Sequence, residues 1–234
     1  MQNHSEHSNH HQQHQGHNMN KFESEVEVSV SYEDKYLRIK LKDTEGNIPL
    51  LEETHEKMMH LIVVSNDLKE FYHLHPTQEG NEFHTDISLS YSSYTAFVDI
   101  NPKGKNYVIK PIRLEINKNS SPFMGLAKPL EKDQNLIKEI GGKTVELITD
   151  PLKVDEEVTL EFTISNGTPE PYLGALGHVV IIDQAVEQFI HVHPVSVHDT
   201  IFNTQFEKSG LYKLWAEFRF GIHVHAYPFV FEVK

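Results

Sequence analysis

The chain contains no cysteine. Disulfides, thiolate metal sites and cysteine nucleophiles are therefore excluded, and any bound metal must use nitrogen, oxygen or thioether ligands. Long apolar runs are missing as well. No stretch approaches the roughly 20 residues that a helix needs to cross a bilayer, so no transmembrane segment is expected. Basic residues are scarce: 21 Lys and Arg against 34 Asp and Glu leave a formal net charge of −13. That is the wrong sign for a phosphate backbone, and nucleic acid is not an expected partner. Residues 1–20 lack a basic segment followed by an apolar one, so the chain as written is expected in the cytoplasm unless a leader has been removed. No nucleophile motif or separate catalytic base stands out, and no catalytic residue is assigned.

Histidine is what the chain has in excess. Six of them (His4, His7, His10, His11, His14 and His17) lie among Gln, Asn and Ser in residues 1–20, with almost nothing to bury. This composition predicts a disordered tail, read as a flexible metal-capturing arm with a merely solubilising segment as the alternative. From Glu25 onward the pattern is β-like. Val26, Val28 and Val30 alternate with polar residues, as do Leu37, Ile39 and Leu41, the period-two signature of half-buried strands. Further strands are expected at 60–64, 71–74, 83–89, 94–100 and 108–116, and again from Val145 to a last strand at 229–233. An all-β sandwich fits this spacing. Residues 131–140 are read as a short helix stopped by Gly141 and Gly142.

The strongest signal is an internal repeat. His60-Leu-Ile-Val-Val-Ser, followed by Phe71-Tyr-His73-Leu-His75-Pro76, matches His178-Val-Val-Ile-Ile-Asp, followed by Phe189-Ile-His191-Val-His193-Pro194. Tyr94-Thr-Ala-Phe-Val-Asp-Ile100 likewise parallels Tyr212-Lys-Leu-Trp-Ala-Glu-Phe218. The expected organisation is a tail at 1–20, a first repeat at 21–117, a linker at 118–143 and a second repeat at 144–234.

Each repeat unit reads as a β-hairpin. If Ile182 lies opposite Phe189, then Val180 faces His191 and His178 faces His193. Opposed residues project from one face, as do residues i and i+2 of a strand. His178, His191 and His193 would then converge, and the same register groups His60, His73 and His75. Cross-strand Cβ atoms about 4.5–5.5 Å apart let such rings meet one ion bound at about 2.0–2.1 Å. In the second copy Gly221-Ile-His223-Val-His225 offers His223 or His225 as a fourth nitrogen. In the first, His55, Met58 or Met59 could add a softer ligand. The large apolar residues Leu214, Trp215, Phe218, Phe220, Phe229 and Phe231 read as strand core, and the unmatched His84 and His198 as packing residues.

With the two hairpins and the segment Tyr172-Leu-Gly-Ala-Leu-Gly-His178, residues 22–234 resemble bacterial tandem Ig-like proteins, similar to the YtkA-like and CopC-like copper-associated modules. The resemblance implies two tandem Ig-like, cupredoxin- or CopC-like β-sandwich domains, an extracytoplasmic setting and a role in metal handling. The expected function is non-enzymatic transition-metal binding for buffering, storage or delivery. Copper is the expected ion, with zinc the alternative, and another metal-handling protein is a candidate partner. Two readings compete: a metal-dependent enzyme with a three-histidine site, and an Ig-like adhesion module whose histidines only pack or sense pH.

Overall fold

The computed structural model describes residues 23–116, 130–192 and 194–234. The His-rich tail, residues 118–129 of the expected linker and His193 lie outside the described residues. Every regular element among those described is a strand. The first ten are β1 (Val26–Glu33), β2 (Tyr36–Asp43), β3 (Leu51–Glu52), β4 (His60–Ser65), β5 (Phe71–Leu74), β6 (Thr77–Glu79), β7 (Glu82–Asp86), β8 (Ser93–Asp99), β9 (Asn101–Pro102) and β10 (Ile112–Glu115). The other eight are β11 (Ile137–Ile140), β12 (Lys143–Thr149), β13 (Glu157–Ser165), β14 (Gly177–Asp183), β15 (Phe189–Val192), β16 (Ile201–Gln205), β17 (Gly210–Phe220) and β18 (His223–Val233).

Four four-stranded sheets stack on one another. In the first sandwich an outer sheet, β1-β2-β7-β6, covers an inner sheet, β10-β8-β4-β5. In the second, the inner sheet is β15-β14-β17-β18 and the outer sheet β11-β12-β13-β16. The outer sheets alternate as read from the sequence: in β2, Leu37, Ile39 and Leu41 are buried and their neighbours exposed. Their inward residues meet Leu61, Val63, Tyr94, Ala96 and Val98 in one core and Val179, Ile181, Leu214 and Ala216 in the other.

Strands β4 and β14 behave differently. Neither alternates, because all six residues of β4 are buried, as are six of the seven in β14. The reason is a third core. The outward faces of the two inner sheets pack against each other through Ile62, Val64, Leu68 and Phe97 of one and Val180, Ile182, Val186 and Trp215 of the other. Phe71 stacks on Trp215 at 4.6 Å between centroids, and Phe97 on Phe189 at 5.2 Å. Lys213 Nζ donates to the Leu68 carbonyl at 2.6 Å, tying one hairpin turn to β17. Fully burying a large apolar side chain contributes roughly 1.5–3 kcal/mol, so this interface rivals the net stability of a domain, about 5–15 kcal/mol.

The expected helix at 131–140 does not form. Residues 137–140 are β11, paired with β12 in the outer sheet, while Leu136 and Ile140 pack on the second core. Strand pairing with β12 and the packing of Leu136 and Ile140 outweighed a modest local helical preference, while Ile137 stays exposed.

The repeat is visible in the strand pairing. His60 opposes Asp99 and Ile62 opposes Phe97 in the first inner sheet, as His178 opposes Glu217 and Val180 opposes Trp215 in the second. Both hairpin turns are closed by a polar side chain at the same place. Ser65 Oγ accepts from the amides of Lys69 and Glu70, and Asp183 Oδ1 from those of Glu187 and Gln188. One difference is complementary in volume. Where the first repeat has Met59 beside Ile100, the second has Gly177 opposite Phe218. A Cβ on Gly177 would lie 2.5 Å from the Phe218 ring and 3.0 Å from the Glu217 carbonyl oxygen. Gly177→Ala should therefore cost about 1–3 kcal/mol by overpacking. Urea unfolding checks this; an unchanged midpoint would show that Phe218 has room to move.

Candidate metal centre

The hairpin registers are those inferred from the sequence: Ile182 opposes Phe189 and Val180 opposes His191, while Val64 opposes Phe71 and Ile62 opposes His73. The consequence is larger than two separate hairpin sites. The face carrying His60 and His73 is the face turned toward the second repeat, and the face carrying His178 and His191 is turned toward the first. The rings therefore gather in one place at the end of the shared core. Centroids lie 5.2 Å apart for His60 and His73, 5.4 Å for His60 and His191, 6.1 Å for His73 and His178, and 6.2 Å for His73 and His191.

Each of these four rings has one nitrogen on an oxygen acceptor. His60 Nε2–H donates to the Thr54 carbonyl at 2.8 Å, and His178 Nε2–H to the Tyr172 carbonyl at 2.8 Å. A carbonyl can only accept, so the proton of each neutral ring sits on Nε2 and its Nδ1 carries the lone pair. His73 Nδ1 is 2.5 Å from Glu217 Oε2, and His191 Nδ1 is 2.5 Å from Asp99 Oδ2. These contacts cross between the repeats. Glu217 lies beside His178 on its own sheet yet bonds His73, and Asp99 lies beside His60 yet bonds His191. A ring tethered to a carboxylate or carbonyl through one nitrogen presents the other in a fixed direction, as metal-ligating imidazoles are held.

Three nitrogens are already grouped. One ligand atom each from His60, His73 and His75 lies within 4.8 Å of the others. His60 Nδ1 and His73 Nε2 are 2.9 Å apart, and the His75 ring is 4.7 Å from that of His73 and 5.0 Å from that of His60. His75 Nε2 is buried without a hydrogen-bond partner. An unsatisfied buried nitrogen is costly and calls for an explanation. Burial pushes the His60 ring down to about 4 and the His75 and His178 rings down to about 3. All three are neutral near pH 7, the state in which imidazole binds a metal.

Two four-residue turns meet above the cluster. Thr54 and Lys57 pair around His55 and Glu56, whose φ values are 50° and 61°. Tyr172 and Ala175 pair around Leu173 and Gly174, at 52° and 76°. Positive φ at both central positions defines the type I′ hairpin turn. Glu56 Oε1 comes within 3.7 Å of where a Cβ on Gly174 would sit, so the turns touch. The first turn brings the His55 ring to 5.4 Å from His178, 5.7 Å from His191 and 6.0 Å from His60. Burial lowers its pKa too.

Other expected ligands are placed elsewhere. His223 and His225 do not reach the cluster. His225 opposes Phe218, whose side chain enters the second core, whereas Glu217 and its partner Ala226 face the other way. Alternation along β18 thus puts both histidines on the wrong face of the sheet. The rings stack on one another at 6.1 Å, and His225 Nε2 lies against Gly141. Met59 is buried in the first core and Met58 is exposed, so neither faces the rings. His198 is exposed, and His84 sits near Glu79 at 3.6 Å. Sequence reasoning missed Asp99 and Glu217, although the repeat alignment put an acid at that position in both copies.

Comparison with protein families gives a match to the model described as Domain of unknown function (DUF8832), over residues 14–117 and 138–234. Comparison with curated proteins gives no match. Among solved structures, the FN1–FN3 domains of chicken CNTN1 are 11% identical, with 89% of this chain and 66% of that one covered and a TM-score of 0.25. A segment of two fibronectin type III domains from chicken tenascin is 10% identical, with 89% and 97% covered and a TM-score of 0.27. A domain of a biofilm-associated protein is 12% identical, with 90% and 30% covered and a TM-score of 0.25.

Proposed function

We propose, starting from the fact that the chain belongs to the DUF8832 family, whose description names no activity, that it binds a transition metal through buried imidazoles. His60, His73 and His75 are the ligands. The observation that carries this reading is the tethering pattern. His60 and His73 each have one nitrogen fixed by an oxygen acceptor and the other turned into the cluster, beside a buried His75 nitrogen without a partner. Rings that merely packed would also need an acceptor for each N–H, but not a second nitrogen turned toward the nitrogens of neighbouring imidazoles.

Nitrogen-only ligation selects among Cu(II), Zn(II) and Ni(II). Two nitrogens bound at about 2.0 Å are about 2.8–2.9 Å apart at a right angle but about 3.3 Å apart at the tetrahedral angle. The 2.9 Å between His60 Nδ1 and His73 Nε2 is a hydrogen-bond distance and brings both atoms within reach of one ion. Between these metals, the sequence resemblance to copper-associated modules favours copper. Holding the ion for buffering, storage or delivery needs no further group.

Hydrogen bonding around His73 adds a measurable consequence. His60 Nδ1 offers a lone pair, so the 2.9 Å contact needs a proton on His73 Nε2, while a second proton lies between His73 Nδ1 and Glu217. A metal on Nε2 displaces the first. Binding should therefore release one proton from this ring–carboxyl pair, read by calorimetry in buffers of different ionisation enthalpy. In the full chain, chelator-stripped protein should take up one tight equivalent of Cu(II) that His60→Ala and His75→Ala each abolish, while weaker sites on the tail persist. A tight equivalent retained by both variants, with native circular dichroism, would sink the assignment.

A further inference from the structure

We infer that His223 and His225, which the fold turns away from the buried centre, form a separate, solvent-facing site for a divalent transition metal. This site shares no residue with His60, His73 and His75 and does not depend on them. Strands β17 and β18 meet in the two-residue turn Gly221-Ile222, with Phe220 opposite His223 and Phe218 opposite His225. Residues i and i+2 of a strand share a face, so one stripe of β18 carries His223, His225, Tyr227, Phe229 and Phe231. The last three fill the second core. The first two emerge from its end, His223 exposed and His225 half-buried. The first repeat has Asn106 and Val108 at the aligned positions. Closing a sandwich of this kind therefore does not call for imidazoles there.

The two rings lie 6.1 Å apart between centroids and within 25° of parallel. Same-face neighbours are about 6.6–6.8 Å apart along a strand, so the side chains stand side by side rather than splayed. Turning a nitrogen of His223 toward His225 needs rotation about χ1 and χ2 and no movement of the backbone, because that side chain is exposed. His225 is the fixed partner. Its ring packs against Phe220 at 6.1 Å and Tyr227 at 6.4 Å, and its Nε2 lies over Gly141, where a Cβ would come within 2.9 Å. A neutral imidazole always keeps one acceptor nitrogen, so the pair offers two ligand atoms, with water to fill the remaining positions. Imidazole ligation selects Cu(II), Ni(II) and Zn(II) over Mg(II) and Ca(II), with Cu(II) held most tightly. Two ligands open to solvent make this an exchange site, which takes up an ion and gives it back, whereas the buried set retains one.

Once one ring holds the ion, the other binds at high effective concentration, so a chelating pair should outbind a lone imidazole by about 100-fold. Titrating the full chain with Zn(II) and following histidine ring signals by NMR tests this. Zn(II) is diamagnetic, and every site in the sample meets the same free ion concentration, whatever other histidines bind. The exposed His198 is the lone-imidazole reference. His223 and His225 should shift along one common curve, at a free Zn(II) at least about tenfold below that which moves His198. His223→Ala should carry His225 up to the concentration that moves His198, and His225→Ala should do the same to His223. His60→Ala, which disables the buried centre, should leave the common curve in place. Separate curves for the two rings, a response no earlier than that of His198, or a dependence on His60 overturns the site. The three-histidine reading is tested by the tight Cu(II) equivalent and survives any of these results.

Discussion

The metal-free protein should lose several kcal/mol of stability between pH 7 and pH 5. His60, His75 and His178 are held neutral by burial, with folded values of about 4, 3 and 3 against an ordinary value of 6.5. Below pH 6.5 the unfolded chain takes up protons that the folded chain refuses, so the unfolded state gains free energy as pH falls. Stability is therefore complete above pH 6.5 and declines through the interval down to 3–4. Taken singly, each ring contributes roughly 2 kcal/mol by pH 5. The rings neighbour one another and do not add simply; a combined loss on the order of 4 kcal/mol is expected. The carboxylates whose values are lowered, Asp67 and Glu70 among them, start from ordinary values of 3.8 and 4.5 and so act mainly below pH 5. Urea unfolding at pH 7.5, 6.5 and 5 in the presence of a chelator is the measurement. A flat profile would mean that water or relaxation relieves the burial of these rings.

Replacing His73 by alanine should be the most damaging change at the centre, and in two separable ways. It removes the imidazole that bridges His60 and Glu217, so the tight copper equivalent should weaken by more than about 100-fold, beyond the range for a residue that only supports a ligand. It also strands Glu217. That side chain is 10% exposed, and its hydrogen bond to His73 is the one it makes among the described residues. Leaving a buried charge without its partner typically costs about 3–5 kcal/mol. Adding Glu217→Gln to His73→Ala should return much of that stability and none of the metal binding. A double variant no more stable than His73→Ala would show that Glu217 is satisfied some other way. Retention of tight binding by either variant would remove His73 from the ligand set.

Much of this molecule was legible along the chain. The alternation in 26–41 located the outer strands, and the matched hairpins located both repeats and the register that pairs Ile182 with Phe189. The unbroken apolar runs at 61–64 and 179–182 were the overlooked clue. A strand with one wet face alternates, and these do not, because both of their faces are covered. Read that way, the runs predict a third core, and with it a meeting of the two histidine faces. Trp215 makes the same point. It reads correctly as buried, yet it packs between the repeats while its neighbours Leu214 and Ala216 fill the second core.

The sequence by itself determined which ligands any metal site here could use. Without cysteine and with histidines at hairpin spacing, only nitrogen could dominate a metal site, and period-two alternation set which side chains share a face. Those are local properties, settled within a dozen residues of chain. Only the tertiary structure decided that the two faces oppose each other, that Asp99 and Glu217 reach across to the other repeat, and that His223 and His225 are turned away. Such contacts join residues roughly a hundred positions apart, and what selects them is the burial of two apolar sheet faces against one another, a global property that no local pattern of residues states.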